Sequence, residues 1–148
     1  MKLLELIKID NRFEKSVNLT LDLYVQDKID GYIPTRSSVN ILDSYINEVR
    51  SFSGNRATVL IGPYGKGKSH LLLVLLSILS RTCQMSAINK LVQRIFAVNP
   101  DAAAHISDVM ENQGQFLTVL INANGNNSLN QAFMRALTSA LTRDGLAD

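Results

Sequence analysis

Apolar and polar positions change rhythm along this chain, and each rhythm predicts a different element. From Val17 to Val25 the stretch VNLTLDLYV alternates, with Val17, Leu19, Leu21, Leu23 and Val25 on one side. Period two over that length predicts a half-buried strand. GYIPT, Gly31 to Thr35, reads as a turn or extended segment, because Pro34 pushes Ile33 out of helical geometry. In VNILDSYINEV, Val39, Leu42, Ile46 and Val49 recur at helical spacing, and Thr35, Ser37 and Ser38 are good caps for that amphipathic helix. SFSGNR is a loop by composition. ATVLI, Ala57 to Ile61, is short, β-branched and continuously apolar, as a strand buried on both faces would be. SHLLLVLLSILSR is apolar almost all round and predicts a helix in the interior. INKLVQRIFAVNP predicts a basic amphipathic helix ending at Pro100, and DAAAHISDVMEN another with Asp101 near its start. QFLTVLIN, Gln115 to Asn122, is the second clear buried strand, and NGNN a turn. Ser128 and Gln131 have capping-box spacing and open the helix QAFMRALTSALTR, which stops at Asp144-Gly145. LLELIKI, residues 3–9, fits one or two turns of helix or a short strand.

Strands and helices in this order predict an α/β fold: a parallel sheet with flanking helices, preceded by a small mixed extension. The extension covers residues 1–34 and the sheet domain 35–148. Length and composition change this picture little. The chain has 148 residues, 46% hydrophobic and 19% charged, with a formal charge of +2. That suits one globular domain and excludes a disordered tail or a polybasic arm. Cys83 is the single cysteine, so an internal disulfide is excluded and a reducing cytosol suits the chain. MKLLELIKID carries Lys2, Glu5 and Lys8, and lacks the apolar region of a secretion signal. The longest apolar stretch, Leu71 to Leu79, is roughly half a membrane span. A cytoplasmic protein with no membrane partner is expected.

The chemistry is concentrated where ATVLI meets the long apolar helix. Gly62-Pro63-Tyr64-Gly65-Lys66-Gly67-Lys68-Ser69 matches G-x-x-x-x-G-K-[ST], and His70 follows it. A polyphosphate needs several backbone N–H groups converging on it, with no side chain in the way. Gly62, Gly65 and Gly67 let the backbone curl into such a nest. Lys68 can reach the β- and γ-phosphates and supply the catalytic charge, and the Ser69 hydroxyl can ligate Mg²⁺. The helix that starts at the loop adds its dipole and free N–H groups. The residues expected to hold ATP are therefore Gly62, Pro63, Tyr64, Gly65, Lys66, Gly67, Lys68, Ser69 and His70, with Lys66 facing solvent. On these residues the chain resembles the P-loop NTPases, and the glycine spacing looks more like ATPases and small-molecule kinases than signalling GTPases. The nearest approach to a guanine motif, Asn89-Lys90-Leu91-Val92, has Val92 where an aspartate belongs.

Hydrolysis also calls for a buried strand ending in Asp, often followed by Glu. Downstream of Ser69 the acids are Asp101, Asp108, Glu111, Asp144 and Asp148, and none ends an apolar run. FLTVLINANG ends in Asn122 and Asn124, which could orient a water or simply make a turn. Either the chain is a nucleotide binder without turnover, or its domain is incomplete and the acidic strand lies beyond it; the second is favoured. SVNLTLD, GYIPTRSSVNILDSYINEV, GPYGKGKSHLL and VLINANG, in that order, look similar to the N-terminal region of large ATPases of bacterial phage-resistance systems, including the BREX-type group. That resemblance implies an ATPase within a multi-protein complex, with DNA as a further partner that the composition does not show. A non-catalytic nucleotide sensor and a small-molecule kinase are the alternatives. Tyr32, Ile33 and Pro34 are either a base pocket or ordinary core. His105, Cys83 and the methionines have no metal-ligand spacing. Arg81, Lys90, Arg94, Arg135 and Arg143 read as solvated surface. An incomplete sheet would leave an unpaired edge, so self-association is expected.

Overall fold

The computed structural model describes residues 16–51, 57–122 and 128–146, and within them the chain forms seven helices and no strand. The expected α/β fold with its parallel sheet is thereby overturned: the described architecture is all-α. Helices α1 (Leu19–Asp22) and α2 (Gln26–Asp30) are short. Longer ones follow as α3 (Arg36–Ser51), α4 (Lys68–Ser80), α5 (Met85–Phe96), α6 (Pro100–Asn112) and α7 (Leu129–Arg143).

Local signals explain the long helices. Thr35 caps α3 in a reciprocal box: its hydroxyl accepts from the Ser38 N–H (3.3 Å), and the Ser38 hydroxyl accepts from the Thr35 N–H (3.0 Å). Asn99 sits in extended geometry before Pro100, and its side chain accepts from the N–H groups of Asp101 and Ala102. Proline fits the first helical position, where no donor is needed, so one Asn-Pro pair separates α5 from α6. Ser128 caps α7 through the Gln131 N–H, as its spacing predicts.

The core is helix against helix. Val39, Leu42 and Ile46 of α3 meet Ala102, Ala103, Ile106 and Val109 of α6, and Ile88, Leu91 and Ile95 of α5 close the other side of α6. Helix α4 buries Leu71, Leu73, Val74, Leu75 and Ile78, in keeping with its apolar circumference. Each such side chain withdrawn from water contributes about 1.5–3 kcal/mol. Leu23, Ile29 and Tyr32, which precede α3, belong to the same core.

Three expected strands do not form. Over Val17–Val25, Asn18 caps α1: its side chain accepts from the Thr20 N–H (3.0 Å), while its own N–H donates to Asp22 (2.8 Å). That local exchange outweighs the alternating pattern, leaving Leu23 buried but Leu21 and Val25 exposed. Ala57–Ile61 and Gln115–Asn122 lie outside any helix or strand. Val59 and Ile61 are 80% and 87% exposed, the reverse of the expected burial. A helix satisfies its backbone within one segment, whereas a strand needs a second segment alongside. Apolar β-branched residues encode the preference but cannot supply the partner.

Candidate functional site

The Gly62–His70 segment bends in the way its glycines allow. Gly65 and Gly67 have φ of 77° and 76°, both in the left-handed region that L side chains avoid. A Cβ on either would meet no protein atom within 4 Å, so backbone geometry and not crowding demands glycine there. Gly67 is the N-cap of α4, and its carbonyl accepts the first helical bond from the Leu71 N–H (2.9 Å). The free N–H groups of the first turn of α4 therefore belong to Lys68 and its successors. At Gly62, by contrast, an added Cβ would be in ordinary contact with the Lys68 side chain.

Lys68 folds back over the loop. Its ammonium donates to the carbonyls of Gly62 (2.8 Å) and Pro63 (2.7 Å). An ammonium carries three donors, and two of them are directed at these carbonyls. The loop thus encloses a cation with its own backbone. Tyr64, at 96% exposure, stands in solvent at the tip.

Two cavities flank the loop. One, of about 430 Å³, is bounded by Tyr64–His70 together with Asp27, Lys28 and Gly31. The other, of about 520 Å³, lies between Gly62–Pro63 and the start of α3, with Tyr32, Ile33, Ile41, Leu60 and Leu71 as apolar walls. Gly31, Lys66, Gly67, Lys68 and His70 border both. All nine residues from Gly62 to His70 therefore line one cavity or the other, Ser69 only the first. Lys28 pairs with Asp22 (3.9 Å), and Lys66 and Lys68 against the carboxylate of Asp27 make the first cavity favourable to an anion.

His70 ties the loop to the segment before α3. Its Nε2 donates to the Lys28 carbonyl (2.6 Å), and its ring meets Tyr32 edge-on, centroids 5.1 Å apart. Tyr32 is 5% exposed, and burial pushes its phenol above the usual value, with Ser38 acting against that. By distance and angle its hydroxyl has no hydrogen-bond partner among the described residues, the Ser38 hydroxyl being turned to the Thr35 carbonyl. Tyr32 and Ile33 border the second cavity, whereas Pro34 does not.

Other candidates fall elsewhere. Asn122 borders a separate cavity against α7, and Asn124 lies outside the described residues. Asp108 pairs with Arg50 across the α3–α6 seam (2.6 Å), and that hydrogen bond, with a second from Asn112, holds its carboxyl below the usual range. Asp144 caps α7 and binds Arg143 and Tyr24. His105 lies against Asp43 and Asn47, and Cys83 is buried, which pushes its thiol up. Among the described residues no group of three metal-ligating side chains is found. Nothing in the sequence marks Asp27 and Lys28 as neighbours of the loop, which begins at Gly62, because no motif includes them. Three arginines read as solvated surface instead cap backbone carbonyls: Arg81 those of Met110 and Gln113, Arg94 those of Ile29, Asp30 and Tyr32, Arg143 that of Thr118.

Among the described residues, no helix is long and apolar enough to cross a membrane. No family model, curated protein or solved structure matches this chain.

Proposed function

We propose that Gly62–His70 binds the triphosphate of ATP together with Mg²⁺ in the cytoplasm. The observation that carries this reading is the conjunction of left-handed Gly65 and Gly67 with a helix starting at Lys68, whose ammonium is held over the loop. Open space around those glycines suits a ligand that approaches backbone donors closely. With nucleotide bound, the Lys68 ammonium would exchange its two loop carbonyls for phosphate oxygens, and the Ser69 hydroxyl would help hold the metal. Bound magnesium would neutralise charge on the β- and γ-phosphates. Tyr32, Ile33, Leu60 and Leu71 offer an apolar recess next to the loop where the base can lie.

Binding without efficient turnover by this chain is the form of the activity we favour. Asp27 is the one carboxylate bordering either cavity among the described residues, and it is exposed. Turnover then belongs to a larger assembly, and the resemblance to phage-resistance ATPases supports a role inside such a complex. Titration calorimetry with MgATP is expected to show saturable heat for the wild type and none for Lys68→Ala, whose melting temperature stays within about 2 °C. A folded wild type that gives no heat with any nucleoside triphosphate overturns the reading. Measuring phosphate release and phosphotransfer on the same samples separates a sensor from an ATPase and a kinase.

A further inference from the structure

Arg94 and its neighbours hold a piece of backbone that borders the candidate site. Helices α1 and α2 have four and five residues, too few to keep their shape unaided. Side chains from beyond the loop fasten them. The Thr82 hydroxyl donates to the Leu23 carbonyl (2.9 Å), and His70 donates to that of Lys28 (2.6 Å). Arg94 of α5 makes the densest attachment: its guanidinium donates to the carbonyls of Asp30 (2.9 Å), Tyr32 (2.7 Å) and Ile29 (3.2 Å). Those carbonyls lie at and just past the C-terminus of α2, where intrahelical donors run out. The planar guanidinium presents several donors in a fixed fork, which a lysine could not match. Arg94 borders neither cavity, but Gly31 between its acceptors borders both, and Tyr32 one.

We propose that Arg94 is a positioning residue for nucleotide selection: by holding the Ile29, Asp30 and Tyr32 carbonyls it fixes Gly31 and Tyr32 as the wall met by the nucleoside half of the ligand. The inference rests on the nucleotide reading above and goes beyond it, because it separates the two halves of the ligand. The phosphates lie on the loop, whose geometry comes from its own glycines and from α4. The nucleoside lies against a segment that has no stable shape of its own. Gly31 also borders the anion-favourable cavity, but the phosphate cradle is the loop's own backbone, so loss of Arg94 loosens the grip on the nucleoside far more than the grip on the phosphates.

The test compares MgATP with magnesium tripolyphosphate, by calorimetry on the full chain. Arg94→Ala is expected to weaken ATP about tenfold and tripolyphosphate less than twofold, so that the preference for ATP shrinks; Arg94→Lys is expected to fall between. Should Arg94→Ala fail to fold, Arg94→Lys carries the comparison on the same criterion. Equal losses for both ligands, or no change in either, overturn the proposal, since a purely structural role has no reason to distinguish them. Wild-type protein that binds tripolyphosphate as tightly as ATP overturns the wall and leaves the loop reading standing. A wild type that binds neither removes both.

Discussion

The Lys68 ammonium rests on its own loop carbonyls, and the proposed function requires it to exchange them for phosphate oxygens, an exchange that the bends at Gly65 and Gly67 make available. Gly67→Ala tests the bend directly. Its φ of 76° costs an alanine about 1–2 kcal/mol, while no neighbour is crowded by the new methyl. Thermal unfolding should therefore drop by only a few degrees, and calorimetric affinity for MgATP by at least tenfold, because the same methyl enters the space the ligand needs. Equal affinity in the two proteins would separate the glycine from the site. Away from the loop, Asp108 offers a pH test. The hydrogen bond from Arg50 lowers its folded pKa, so its contribution is complete above the unfolded carboxyl value and is lost as pH falls through the folded one. Asp108→Asn should be less stable than wild type at neutral pH, and the two should converge in acid below pH 4. A gap that persists in acid, measured by urea denaturation, would assign the effect to packing instead.

Helices were read from the sequence where the signal is local. The α3 face of Val39, Leu42 and Ile46, the all-round apolar α4, and the Ser128 cap of α7 all depend on residues each within four positions of the next. The same locality explains why Val17–Val25 departs from the expected strand: a cap at Asn18 competes with the alternating pattern and wins. The Asn99-Pro100 boundary is the sharpest of these signals, and Asn99→Ala should remove about 1 kcal/mol by unsealing the N-terminus of α6. Because α6 packs on both α3 and α5, that loss should appear in global unfolding and not as local fraying. Hydrogen exchange confined to the first turn of α6 would contradict it. Of the candidate site, the loop itself was legible, since it is one continuous run. Asp27, Lys28, Gly31 and the capping arginine Arg94 were not, because nothing in their sequence neighbourhood shows that the fold brings them there.

Across the molecule the helices bury one another and leave the extended segments aside. Val59 and Ile61 stand exposed beside the loop, and Leu129, Phe133 and Met134 on α7. Exposed apolar side chains of this size favour association between copies. Light scattering should show mass rising with concentration, and Ile61→Lys should suppress the rise; a monomer at all concentrations would refute this. What the residues settle unaided are the properties enclosed in short windows: where the long helices start and stop, which of their faces are apolar, and that one loop carries its glycines and lysine in the G-x-x-x-x-G-K-S order. What only the tertiary structure decides depends on a distant partner. A strand needs a second strand, a cavity needs a wall from another part of the chain, and an arginine becomes a cap only when a helix end is delivered to it. Ala57–Ile61 has the composition of a strand but pairs with no strand among the described residues, and Gly31 and Tyr32 border a cavity in a segment whose carbonyls Arg94, more than sixty residues on, holds.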